Sequence, residues 1–185
     1  MKKESHSEFN IDKFLARFLT YKFADDCLNM MKLAKDTGEG NVVYSFNFLV
    51  TNSLELFAKS FLCLKLEKEE NLTKNEIENK LKRYGHNLSQ LYSEEGVGSD
   101  FLFSAGINKV ELDDQLPESK IKNYKFKFHT NKGLIFVYEN ESLRYGVLAN
   151  ENKQNNLIIY DIQKSIVLCE DVKTALLGVT KKYLK

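Results

Sequence analysis

The sequence predicts a mainly α protein: a helical bundle of three to four helices with a small antiparallel β insertion in its C-terminal half. Three observations predict it. Residues 44–66 are apolar almost all round a helical wheel, which is the mark of a buried central helix rather than a surface one. Residues 9–35 and 73–91 repeat apolar side chains at steps of three and four. Beyond Asp100 the pattern changes to short runs, of which Tyr124-Lys125-Phe126-Lys127-Phe128 alternates as a half-buried strand does. A chain of 185 residues fits one domain, read here as a helical core over 9–95, a loop and small β region over 96–168, and a C-terminal helix over 169–185.

The first helix is expected over 9–35, carried by Ile11, Phe14, Leu15, Phe18, Leu19, Cys27, Leu28, Met31 and Ala34, with Met30 and Met31 as core filling. Thr37-Gly38-Glu39-Gly40 ends it, and so short a connection predicts antiparallel packing against the central helix. In the central helix Phe46, Leu49, Val50, Ser53, Leu54, Phe57, Ser60, Phe61 and Leu64 make one broad stripe. Phe48, Leu62 and Leu66 fall on the other side, and Asn47, Thr51 and Lys65 form a narrow polar strip.

Thr73 with Glu76 three residues on predicts a capping box, which opens a third helix carrying Ile77, Leu81, Tyr84, Leu88 and Leu91. Residues 93–99 read as a turn, and 101–103 and 107–112 as short helix. Residues 134–138 and 143–148 predict a hairpin about a polar loop, with a third run over 157–160. The last helix is expected over 170–183, with Asp171 in its first turn complementing the helix dipole.

Composition narrows the function classes. With 27 basic and 26 acidic residues the net charge is +1, which argues against charge-driven nucleic-acid binding by the fold as a whole and leaves room for a local basic site. Cys27, Cys63 and Cys169 are too few and too scattered for a disulfide framework, and no CxxC or Cys/His cluster suggests zinc. They read as buried reduced thiols in a cytoplasmic protein. The start, MKKESHSEF, is too polar for a signal peptide, and no apolar run approaches the roughly 20 residues that cross a bilayer. No cofactor and no metal is expected, since phosphate-cradling glycine motifs, GxSxG and HExxH are all missing. The basic–aromatic alternation of residues 124–128 fits a plain strand or a stacking surface for single-stranded nucleic acid.

Candidate chemistry gathers at a few residues. Glu55 and Lys59, four apart with the acid first, lie on the second apolar side of the central helix. They read either as an ordinary surface pair or as a partly buried pair that needs further partners. Histidine is scarce: His6, His86 and His129. His86 follows Gly85, and two geometries stand open. A helix running straight through Gly85 leaves His86 on the polar face. A break there turns it inward, toward Glu55 and Lys59, where an imidazole beside Arg83 can transfer protons near neutral pH.

Three segments, SLELFAKSFLCLK, KRYGHNLSQLY and LRYGV, make the chain resemble the HEPN superfamily of small α-helical proteins. The matching elements are Glu55 and Lys59, Gly85-His86-Asn87-Leu88, and Arg144-Tyr145, and the likeness is carried mainly by residues 10–95. The resemblance implies a single HEPN-like domain that binds a nucleotide, an RNA, or a partner such as a cognate antitoxin, in a defence or toxin–antitoxin setting and as a homodimer. Glu55, Lys59, Asn87 and Tyr145 would be binding residues. It implies as an alternative a metal-independent RNA endonuclease with His86, Arg83 and Arg144 as catalytic residues. The family's nucleases set arginine and histidine further apart than Arg83 and His86, which have only Tyr84 and Gly85 between them. A third reading is an α-bundle interaction protein with a buried polar network and no ligand.

Overall fold

A helix apolar nearly all round has to be enclosed by other elements, and the 27-residue helix Val43–Glu69 is. The computed structural model of the chain describes residues 19–37, 43–70, 72–113, 123–140 and 162–184. In order these form α1 (Leu19–Thr37), α2 (Val43–Glu69), α3 (Lys74–Tyr84), α4 (Leu88–Leu91), α5 (Ser99–Ser104), β1 (Ile107–Asp113), β2 (Asn123–Thr130), β3 (Gly133–Asn140) and α6 (Ile162–Thr180), which runs on into a 3-10 turn, Lys181–Leu184. The protein is thus mainly helical with a small three-stranded antiparallel sheet, in the order β1-β2-β3.

Small polar residues on α2 let α1 close against it. Ser53 Oγ donates to the Ala24 carbonyl at 3.2 Å, and Ser60 Oγ lies 2.8 Å from Thr20 Oγ1. Later residues of α2 meet earlier residues of α1, so the two helices are antiparallel, as the short connection predicts. Leu28 and Met31 of α1 sit in the core with Phe46, Val50, Leu54 and Phe57 of α2. Met30 does not: it is exposed on the outer side of α1, as are Phe23 and Leu33, and this corrects the expectation of a paired Met filling. Helix α6 runs antiparallel to α1 in its turn, through Lys35 with Gln163, Lys32 with Glu170 at 2.8 Å, and Asp25 with Lys173 at 2.6 Å.

The sheet turns Phe126, Phe128, Ile135 and Val137 into the same core, where Phe128 meets Tyr92 edge-on with ring centroids 5.4 Å apart. The alternation read in residues 124–128 is therefore a strand with Phe126 and Phe128 inward. Lys125 stands over the Phe136 ring, 4.5 Å from its centroid.

Several expectations change. Residues 107–112 form strand β1, not helix. A bulge between Ile107 and Lys109 shifts the register, so Ile107 and Val110 both face the core although they are three apart, which mimics a helical step. Residues 134–138 lie in strand β3, which pairs with the preceding strand β2 through a turn at Asn131 and Lys132, while the partner expected for them at 143–148 falls outside the described residues. The expected runs 143–148 and 157–160 lie outside the described residues, as do residues 9–18 of the first helix and the Gly38-Glu39-Gly40 stop. The C-terminal helix begins at Ile162, so Asp171 stands in mid-helix and pairs with Lys132 at 2.6 Å instead of meeting the dipole. Phe48 is 41 % exposed, whereas Thr51 is buried and bonds back to the Asn47 carbonyl at 3.0 Å. No helix among the described residues is long and apolar enough to cross a membrane.

Candidate functional site

The site is built where α3 stops. Its start is the predicted capping box: Thr73 donates to Glu76 Oε2 from its amide at 2.8 Å and from its hydroxyl at 2.6 Å. Its end is Gly85, which takes φ +53° and ψ −126°, a conformation that L side chains rarely adopt. The Gly85 amide closes the last turn on the Lys82 carbonyl at 3.2 Å. The chain then restarts as α4, with Asn87 at its cap: the Asn87 side chain accepts from the Gln90 amide at 3.2 Å and from Ser89 Oγ at 2.7 Å. Of the two geometries open to residues 82–90, the break is the one adopted.

The restarted segment is pinned to α2. Leu88, Leu91 and Tyr92 are buried, and the Tyr92 hydroxyl donates to the Leu54 carbonyl at 2.7 Å, one residue before Glu55. Burial first, then the neighbouring Cys169 and Glu55, hold the Tyr92 phenol well above its ordinary value of 10.0, so it stays a donor.

Between the break and this anchor, His86 turns back onto α2. Its Nδ1 lies 2.9 Å from both carboxylate oxygens of Glu55. Lys59 Nζ reaches Glu55 Oε1 at 2.7 Å. The three side chains grade from inside to outside: 4 % exposed for Glu55, 15 % for Lys59 and 47 % for His86. Burial, the largest influence on Glu55, pushes its carboxyl up, but the Lys59 ammonium and the His86 imidazole together outweigh it and hold it below 4.5. Glu55 is therefore an anion at neutral pH.

That charge settles the histidine tautomer. An ionised carboxylate only accepts hydrogen bonds, so Nδ1 carries a proton in both states of the ring and the exchanging proton sits at Nε2. A carboxylate that fixes one ring nitrogen and leaves the chemistry to the other is a general way of orienting an imidazole. The arrangement can hold an anion when the ring is protonated, or take a proton when it is not.

No protein-family model, no curated protein and no solved structure matches this chain.

Glu55, Lys59 and His86 come together. Asn87 is adjacent in sequence, with its side-chain oxygen engaged in capping α4. Arg83 lies on the last turn of α3 and lines a different cavity, of about 270 Å³, that none of the three lines. Arg144 and Tyr145 lie outside the described residues. No group of three or more His, Cys, Asp and Glu side chains suited to a metal occurs among the described residues.

Sequence reasoning missed Tyr92, whose place one step beyond the apolar stripe of Leu88 and Leu91 was the available signal. It also missed a second carboxylate–imidazole contact. His129 Nε2 lies 2.9 Å from Glu111 Oε2 across β1 and β2, with Lys109 on the same carboxylate. Hydrogen bonds from Lys109 and then His129 hold the Glu111 carboxyl below its ordinary value. Only the strand register reveals this cluster, which borders an open groove of about 840 Å³ between Gln90 and Ser93 on one side and β1 on the other.

Proposed function

We propose that this chain is an HEPN-like domain, a bundle of three to four helices with its sheet set against it, that binds the phosphate of a nucleotide or RNA through Glu55, Lys59 and His86. One observation carries the reading: the Glu55 carboxylate, 4 % exposed, sits between the Lys59 ammonium at 2.7 Å and the His86 ring at 2.9 Å. A buried ion pair of this kind is weak support for stability, since apolar side chains of similar size often do as well. Its use is to hold an imidazole and an ammonium in fixed positions beside solvent, as a pre-arranged anion site requires.

The experiment is a thermal-shift titration with nucleotides and with short RNA. Binding raises the melting temperature of the wild type, and His86→Ala or Lys59→Ala removes the rise. No rise with any of these probes overturns the reading.

What supports the endonuclease reading is the His86 ring held by its Nδ1 on the Glu55 carboxylate, the orientation a general acid or base requires. Against it, Arg83 lines another cavity. Incubation with total RNA in EDTA separates the two: cleavage by the wild type that His86→Ala loses makes the protein a nuclease, and intact RNA leaves it a binding module. Homodimerisation, a cytoplasmic location and a defence or toxin–antitoxin role with a cognate antitoxin belong to the same proposal. The exposed Phe23, Met30 and Leu33 on α1 support self-association, which light scattering of the purified protein measures.

A further inference from the structure

We infer that the cavity between α2 and α3 is a second binding site, for the phosphate dianion of a small molecule, held by Arg83 and Lys65 with Lys80 beside them. The cavity has about 270 Å³ and carries three cationic side chains, Lys65, Lys80 and Arg83, against the two carboxylates Glu70 and Glu95. Lys80 takes up one of those carboxylates by pairing with Glu70. The Arg83 guanidinium makes no hydrogen bond or ion pair among the described residues. Lys65 Nζ sits 3.4 Å from the Gly96 carbonyl, longer than the roughly 2.7–2.9 Å of a strong charge-assisted bond. Two of the three cations thus have donors left for an anion, and Arg83 can offer two of them side by side, the geometry that fits phosphate.

The rest of the cavity limits the size and character of the ligand. Leu62 and Leu66 form an apolar floor. Tyr84 makes a wall, with its hydroxyl tied to the Glu95 carbonyl at 3.2 Å. A volume of about 270 Å³ lies just below the range of drug-sized ligand pockets, about 300 to 1,000 Å³, so it suits free phosphate or one small phosphate monoester and not a polymer. The break at Gly85 separates this site from the other, with Arg83 before it serving this cavity and His86 after it serving Glu55.

The test is an amide NMR titration of the full chain with inorganic phosphate, adenosine 5′-monophosphate and adenosine. Phosphate and the monophosphate should shift the Lys65, Arg83 and Gly96 amides saturably, and adenosine should not. Arg83→Gln and Lys65→Gln should each weaken binding about tenfold or more, whereas His86→Ala should leave these shifts unchanged. Tighter binding of the monophosphate identifies a monoester ligand, and equal affinity identifies free phosphate. The inference fails if neither anion gives a saturable shift, if adenosine matches its monophosphate, or if both Gln variants bind as the wild type does.

Discussion

His86 Nδ1 lies 2.9 Å from both carboxylate oxygens of Glu55, a residue 31 positions earlier on another helix. The contact depends on three local decisions: a stop at Gly85, a restart at Asn87, and an anchor of Tyr92 on the carbonyl of Leu54, the residue before Glu55. The stop and the anchor can each be removed by one substitution, and each removal has its own signature.

Glu55→Gln removes the charge and keeps the shape. It leaves Lys59, only 15 % exposed, without its anion, a change that costs roughly 3–5 kcal/mol for a buried pair. The sign with pH follows from the lowered carboxyl. A group held below 4.5 in the folded protein adds stability fully above that value, and the gain is lost as pH falls through the folded value. Urea denaturation at pH 7 should therefore show the wild type well ahead of Glu55→Gln, with the gap narrowing below about pH 4.5. A gap that does not change with pH would refute the assignment of Glu55 as the buried anion.

Gly85→Ala tests the break. The Cβ would meet nothing within 4 Å, so the whole effect comes from holding an L residue at φ +53°. A strained backbone of this kind costs about 1–3 kcal/mol. The protein can instead relax by continuing α3, which carries His86 out to the polar face. Stability should fall by that amount, and the His86 ring nitrogens should take the chemical shifts of a solvated imidazole. Unchanged shifts at full stability would mean that glycine is not required there.

Periodicity exposed most of what positions the site. The buried α2, the capping box at Thr73 and the acid-before-amine spacing of Glu55 and Lys59 are local patterns, and local patterns survive in a sequence. The fate of Gly85 was not legible, because a glycine in a helical run is tolerated at about 1 kcal/mol and only the packing of Leu88, Leu91 and Tyr92 decides for a break. Strand β1 was hidden for a different reason: its bulge gave Ile107 and Val110 a helical spacing. The early start of α6 was hidden too, since its first turns meet α1 through Gln163 with Lys35 and Glu170 with Lys32, partners far away in sequence. Arg83 looked like a neighbour of His86 because two residues separate them, yet the reversal at Gly85 sends Arg83 to the cavity between α2 and α3 and His86 to Glu55.

Tyr92→Phe keeps the ring among Phe101 and Phe128 and deletes the bond to the Leu54 carbonyl. The expected loss is about 1 kcal/mol, the net worth of an ordinary hydrogen bond. There is a second readout at high pH. The phenol of Tyr92 is raised above 10.0 in the folded protein, so its contribution is complete below that value and is lost as pH rises beyond it. The wild type should lose stability above about pH 10 more steeply than Tyr92→Phe. Parallel alkaline profiles would contradict the burial of this hydroxyl.

Two glycines outside the break should answer in opposite directions. A Cβ on Gly96 would stand 2.2 Å from the Leu91 carbonyl oxygen and 2.6 Å from that of Gln90, both backbone atoms that cannot move aside cheaply. Gly96→Ala must push the Ser93–Val97 turn away from α4, breaking the Val97 amide bond to Leu91 at 3.0 Å and moving the carbonyl that faces Lys65. The expected loss is more than about 2 kcal/mol, in the range of overpacking in a tight site. Gly178, exposed within α6, has nothing within 4 Å of its would-be Cβ. Gly178→Ala should raise stability by about 0.5–1 kcal/mol by restricting the unfolded chain and favouring helix. Denaturation midpoints of the two variants measure both effects. A neutral Gly96→Ala would mean that a Cβ there clears the Leu91 carbonyl, and that the turn facing Lys65 stands further from α4.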